Sequence, residues 1–466
     1  MLQNRFNSAM ALREKNTNPS SSREKAPTIA DAALLGFISS LGPFAVNANV
    51  PGFHAIAADM GVSFIAVQLS LTVYLATYAG ASLFVGAVSD SLGRKPVIIA
   101  GMLLFMVASL GAALATTIEV FYFWRFVQGL TAAAGQVVTQ AVVRDRWAGL
   151  GAARMNALIA MFFAVSPALA PVVGGALIVR FSWHAVFVFL IVYAGLIALF
   201  TARFIPETLP AAKRRAFGLM QLLTDYRRGF TNTAFMAGVA AHGCCFMGGI
   251  LYSAGAADFV IRIMHLGVDD FAYLTFPLIG TSLVGSWYAA RWAQAFGPVR
   301  MLYATIGFMI AAGAASTLAD YSLGWGFPLI LIGPMLYQFG MALCRPVMMA
   351  MNLDYFPDNR GMAASIQQFF VTAGFSVSTA LWVPLVMGSA WKYSAVMSFS
   401  AVLVLALWMI SMRKRNRLSE KRASGSRWRN KATLSPSRGV SSESVRSLRR
   451  KPCTICCCVT HMSWIR

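Results

Sequence analysis

Between residues 30 and 411 the chain alternates long apolar runs with short polar turns. A hydrocarbon core ~30 Å thick needs about 20 residues of α-helix to cross it. Backbone polar groups find no water there, so only helices and closed barrels can span. None of the runs shows the two-residue alternation of a barrel strand. The pattern predicts an all-α, polytopic membrane protein with twelve spans. They fall at 30–50, 64–86, 97–117, 119–142, 153–178, 184–204, 233–256, 271–293, 300–318, 323–347, 361–386 and 389–411. The stretch 243–266 is the least regular, because Asp258, Arg262 and His265 crowd its far end.

The longest internal break, Pro206 to Phe230, separates six spans from six. Landmarks recur across it at a nearly constant offset: Gly93 and Gly297 by 204 residues, Arg154 and Arg360 by 206, Trp183 and Trp391 by 208. Three pairs in register suggest duplication. The expected organisation is an N-terminal segment 1–29, a six-helix bundle 30–205, a central loop 206–232, a second bundle 233–411 and a tail 412–466. Parallel six-span repeats of this kind hold a substrate midway between the halves. Residues 1–28 are polar and basic, and the first apolar run is too long for a cleaved leader and lacks a small-residue cleavage site. The first span is therefore expected to stay in the mature protein.

Charge adds orientation. The net charge is +22, but Ser411 to Arg466 alone holds 15 Lys and Arg against Glu420 and Glu443, a balance of +13. Of the rest, most follows the even-numbered spans: Arg94 and Lys95, then Arg144, Arg146 and Arg154, then Lys213 to Arg215 with Arg227 and Arg228, then Arg300. The opposite turns hold Arg180, Arg262 and Lys392. Lys and Arg mark cytoplasmic turns. Both termini are expected in the cytoplasm, with the protein in the inner (plasma) membrane, and no nucleic-acid partner is expected. The basic tail reads as disordered and solvated; attraction to anionic lipid, at about 1 kcal/mol per basic residue, is the other reading.

Three motifs carry the functional signal. The turn Gly86-Ala-Val-Ser-Asp90-Ser-Leu-Gly93-Arg94-Lys95 puts an acid and two glycines at fixed spacing, which a merely basic loop would not need. Gly86 and Gly93 would allow close approach and a tight turn. Asp90 can accept from exposed helix-start N–H groups or pair with a base. The fourth span opens Arg125-Phe-Val-Gln128-Gly129. An Arg there costs at least ~2.5 kcal/mol near the bilayer centre unless it faces protein or water, and snorkelling to the interface is the alternative. The fifth span reads Ser166-Pro-Ala-Leu-Ala170-Pro171-Val-Val-Gly174-Gly175, small residues for close helix contact with prolines that bend it.

On these residues the chain resembles the major facilitator superfamily. The first turn matches its Gly-x-x-x-Asp-x-x-Gly-Arg-Lys signature at every fixed position. The resemblance implies that Asp90 and Arg94 latch the two halves in the outward-facing state. Arg125, Gln128 and Gly129 match its Arg-x-x-Gln-Gly motif, which implies a part in proton coupling. The fifth span is similar to its antiporter motif, with Ser166 and Ala170 in place of two glycines, and this argues for efflux. Within the superfamily, Asn47 to Gly61, Pro206-Glu207-Thr208 and Arg360 to Ser365 look like the bicyclomycin/chloramphenicol-type drug:proton antiporters. The resemblance covers roughly residues 30–411. It implies a transporter that exports small organic molecules in exchange for protons, not an enzyme, and working as a monomer in the lipid bilayer. An importer or uniporter on the same fold, or a non-transporting sensor, are the other readings.

One departure matters. Those antiporters usually carry Asp where this chain has Asn47, and Asn cannot titrate. None of the 17 acidic residues lies deep within a span, which leaves Asp31 at the edge of the first. Either Asp31 couples protons, or protons compete elsewhere, or transport is otherwise coupled. The candidate pocket is Asn47, Asn49, Tyr78, Gln136, Tyr337, Gln338, Gln367 and Gln368. With no carboxylate among them, a neutral or anionic substrate is favoured over a cationic one. No metallohydrolase, nucleophile-elbow or nucleotide-loop motif is present, and no cofactor or metal is expected. Cys244, Cys245 and Cys344 read as packing residues. In the tail, Cys453, Cys456, Cys457 and Cys458 complete no zinc pattern.

Overall fold

The computed structural model of the protein describes residues 28–147, 149–214, 218–267 and 270–432. Each expected span is met by a long helix, and the described residues contain no strand. The first six are α1 Ile29–Asn49, α2 Phe64–Leu92, α3 Arg94–Ala113, α4 Ile118–Arg146, α5 Gly149–Arg180 and α6 His184–Phe204. A short amphipathic helix, Leu219–Thr231, follows. The second six are α7 Thr233–Ala254, α8 Ala272–Phe296, α9 Pro298–Ser322, α10 Ile332–Leu353, α11 Arg360–Val377 and α12 Ala390–Ala432. Ten of the twelve are long and apolar enough to cross a membrane by length and composition; α5 and α8 fill the expected fifth and eighth places.

Local chemistry sets the boundaries. The side chains of Thr28, Ser63, Thr117, Asn232 and Asn359 each accept a backbone N–H in the first turn of the helix they precede, which supplies partners the helix itself cannot. The tenth span begins at 329 rather than 323, with a 3-10 turn ahead of the α-helix at 332. Gly324, with φ of 58°, and Pro328 interrupt the helix there. Apolar side chains face outward as well as inward. On α3, Leu103, Leu104, Val107 and Leu110 are all exposed, an arrangement suited to lipid as solvent. Helix α12 is described as far as Ala432, past the expected span end at 411. The tail cysteines and residues 1–27 lie outside the described residues.

Packing repeats every six helices. α1 lies on α4 and α5, α2 on α4, and α3 on α4. In the same way α7 lies on α10 and α11, α8 on α10, and α9 on α10. The two sets meet through α2 against α11 and α5 against α8, two contacts that a two-fold exchange of the sets would interchange.

The closest approaches use glycine. A Cβ on Gly174 of α5 would collide with the Ala48 carbonyl of α1. At the equivalent α7–α11 contact, a Cβ on Gly374 would lie 2.6 Å from the Gly243 carbonyl. By contrast, a Cβ on Gly280 of α8 would meet nothing within 4 Å. We therefore expect Gly174→Ala to lower the thermal unfolding temperature of the detergent-purified protein by several degrees. Gly280→Ala should leave it unchanged or raise it, since Ala favours a helix interior by about 1 kcal/mol over Gly. Equal behaviour of the two would contradict the packing described.

Candidate functional site

The turn between α2 and α3 is an ion-pair hub. Gly93 takes φ of 105°, open to glycine at little cost, and so turns the chain straight from one helix into the next. Arg94 is buried and reaches three partners: Asp90 at 2.6 Å, Asp145 at the end of α4 at 3.0 Å and the Ser89 hydroxyl at 2.6 Å. Its backbone N–H donates to Glu207 at 3.0 Å, and that of Lys95 donates to the same carboxylate at 3.3 Å. Lys95 Nζ donates to the Ala202 carbonyl of α6 at 2.7 Å.

Of the two roles open to Asp90, pairing with a base is the one it takes; Glu207 takes the helix-start N–H groups of α3, because Gly93 leaves its carboxylate room beside the turn. Gly86 is not sterically required: a Cβ there would sit 3.7 Å from Val137, an ordinary contact. Glu207 lies in the Pro206-Glu207-Thr208 stretch, where an acid just past a span end, facing a helix start, was the available signal.

Arg125 does not snorkel. It is 1% exposed, with its guanidinium 4.6 Å from the Tyr74 ring centroid and Nη1 donating to Gln128 at 2.8 Å. Gln128 Nε2 donates to Ser109 of α3 at 2.7 Å, and Tyr74 donates to the Gly42 carbonyl of α1 at 3.1 Å. Gly129 lets α4 sit against the Tyr74 backbone of α2. One cation thus ties four helices together. Asp31 lies at the opening of α1, paired with Arg146 at the end of α4 at 3.2 Å and hydrogen-bonded by Thr28. On α5, Ser166 donates to the Ser40 carbonyl of α1 at 3.2 Å, and Ala170, Pro171, Gly174 and Gly175 are buried.

The candidate pocket residues separate into three kinds. Asn47 and Asn49 are buried and donate to their own helix, to the Pro43 and Ala45 carbonyls at 2.8 Å each. Tyr78 of α2 donates to Gln136 of α4. In the second set Gln338 donates to the Gly249 carbonyl of α7 at 3.0 Å, Gln367 accepts from Asn352 at 3.1 Å, and Gln368 donates to Thr372 within α11. Tyr337 is fully buried, its hydroxyl without a partner. The structure thus brings Tyr78 with Gln136, and Gln367 with Asn352, but does not gather all eight around one point.

Sequence reasoning missed His242, Arg345 and Asn352 on α7 and α10. Gln338, Met341, Arg345, Met348 and Asn352 recur at helical spacing and so share the α10 face that packs on α7. The signal was available, since Arg345 is a cation inside an apolar run, the criterion that singled out Arg125.

The face opposite the 86–95 turn is sealed between the two sets. Gln68 of α2 donates to the Thr379 carbonyl at 3.2 Å, Thr72 and Thr379 hydroxyls lie 2.8 Å apart, and Ser376 donates to the Thr72 carbonyl at 3.2 Å. Thr379 belongs to a π turn, Ser378–Trp382, that continues α11. At the turn face, Tyr226 of the short central helix donates to the Leu83 carbonyl of α2 at 2.5 Å, and burial pushes its phenol pKa up, so it remains a donor. Among the described residues, Asp90 pairs only with Arg94 and makes no bond to α11.

Compared with known proteins, the chain matches the model of the Major Facilitator Superfamily over residues 32–333 and 281–465. It is 27% identical over 386 residues to multidrug resistance protein D of Escherichia coli (strain K12), covering 81% of this chain and 94% of that one. It is 31% identical to the uncharacterized MFS-type transporter YdgK of Bacillus subtilis (strain 168), covering 70% and 81%. With a bicyclomycin resistance protein homolog of Haemophilus influenzae the identity is 29% over 71% and 83%. Among solved structures, the fold is similar to the nucleoside transporter NupG (TM-score 0.64, 14% identity, 83% of this chain and 99% of that one). It is also similar to the peptide transporter POT (TM-score 0.66, 12% identity, 83% and 94%).

Because Arg94 is buried between two carboxylates, its removal leaves both without a cation, whereas an exposed pair contributes little. We expect Arg94→Ala to lower thermal stability and membrane yield clearly. Arg360→Ala, which breaks an exposed 3.9 Å pair with Asp354, should leave both within error of wild type. A stable Arg94→Ala protein would show that the hub is not structural.

Proposed function

The chain belongs to the major facilitator superfamily, and on that premise we propose that it exports small organic molecules, drug-like compounds among them, in exchange for protons. Two six-helix bundles, 30–205 and 233–411, would rock against each other around a shared site. The observation that supports this most is the antiporter-type α5, laid on α1 through Gly174 and Ser166. The relatives named as multidrug and bicyclomycin resistance proteins point the same way. Both termini are read as cytoplasmic from the distribution of Lys and Arg. On that orientation the Gln68–Thr72–Thr379 seal closes the outer face, and the unlatched Asp90 fits a molecule away from its outward-facing state.

Asp31 is the carboxylate proposed for coupling. Its partner Arg146 cannot usefully lose its proton, so protonation of Asp31 would end the ion pair and free the end of α4 from the start of α1. Arg125 would tune the N-terminal bundle through Tyr74 and Gln128 without titrating itself.

Efflux from everted membrane vesicles tests this reading. Export of a hydrophobic drug probe should fall severalfold when the pH gradient is collapsed. The Asp31→Asn protein should export down a concentration gradient but no longer respond to pH. Gradient-independent export by wild type would remove proton exchange, and unchanged coupling in Asp31→Asn would remove Asp31.

A further inference from the structure

Among the described residues, buried side-chain atoms without a partner occur in both sets, Arg125 Nε and Nη2 among them, and one group of them lies on α7, α10 and α11. His242 of α7 is 3% exposed, yet neither ring nitrogen makes a hydrogen bond. The Phe246 ring one turn on lies 5.4 Å from the His242 ring and carries the Arg345 guanidinium 4.5 Å from its centroid. Gln367 of α11 lies beside His242. Asn352 donates to Gln367 and keeps its own Oδ1 unpaired. The hydroxyl of Tyr337 and Oε1 of Gln338 are likewise unpaired. Among the described residues no carboxylate pairs with Arg345, which is only partly buried, and His242 and Cys245 are the titratable groups within its reach.

Buried polar groups in folded proteins are nearly always satisfied, so such a cluster points to a partner that comes and goes. The dominant unmet requirement is electrostatic. A guanidinium cannot shed its charge, and that of Arg345 is partly withdrawn from water with no carboxylate beside it among the described residues. A carboxylate or sulfonate meets it with two parallel N–H···O bonds, and the His242 imidazole has an N–H to add. Phe246 offers an apolar face beside the cation.

We propose that Arg345, Phe246 and His242 form the binding site for an organic anion, which makes the exported substrate an aromatic or otherwise apolar carboxylate or sulfonate. This rests on the export reading above, and it places the substrate charge on the second bundle, away from Asp31.

A charge series of one shape tests it: benzoate, benzamide and benzamidinium added to full-length purified protein, with thermal unfolding as readout. Benzoate at millimolar concentration should raise the unfolding temperature by several degrees, with benzamide and benzamidinium giving no rise. The benzoate shift should vanish in Arg345→Gln, persist in part in Arg345→Lys and weaken in His242→Phe. A rise with benzamidinium, or an undiminished benzoate shift in Arg345→Gln, overturns the site. The wild-type series needs no variant, so a protein that fails to fold does not leave the question open. Vesicle flux separates the two readings. Gradient-driven export of neutral drugs without any benzoate shift removes the anion site alone, whereas a benzoate shift without export of any probe removes the exporter alone.

Discussion

Hydrocarbon offers no hydrogen-bond partners, and that lack organises the whole molecule. Every backbone polar group in the spans must be satisfied within a helix, so the described residues are helical nearly throughout. Side chains then face the same demand. Asn47, Asn49 and Thr77 meet it by donating back to their own helices, and Gln128, Tyr74 and Ser166 meet it across to neighbours. Among the described residues the buried atoms left unpaired include a group on α7, α10 and α11, and the anion site is read from that group.

Helix contact follows from the same solvent. Lipid tails are as apolar as the side chains, so association depends on close approach and not on escape from water. Glycines at the α1–α5 and α7–α11 contacts bring backbones together in both halves. The duplicated plan is therefore visible in packing as well as in the recurrence of Gly93, Arg154 and Trp183.

The spans were legible because their signal is summed over about twenty residues, so one polar residue barely disturbs it. Span ends were less so. At α10 the hydropathy continues across Gly324 and Pro328 while the helix does not. The 86–95 turn was legible because its chemistry is local: Gly93, Arg94 and Asp90 act on one another within a few residues. Asp145 and Glu207 join the same hub from far along the chain, and no spacing rule reaches them. Arg345 and His242 escaped for a different reason. The search for a titratable group looked for acids, whereas Arg345 is a cation, set over the Phe246 ring.

The seal opposite the turn consists of three hydrogen bonds, all of them meeting in or beside a π turn of α11. Interhelical bonds of this kind within membranes average about 0.6 kcal/mol, so parting them costs about 2 kcal/mol. A tenfold population ratio corresponds to about 1.4 kcal/mol. These bonds therefore bias closed over open by no more than some thirtyfold. A solute that grips one arrangement only modestly better than the other is enough to reverse the bias, so traffic through such a barrier can be governed by cargo and not by a lock.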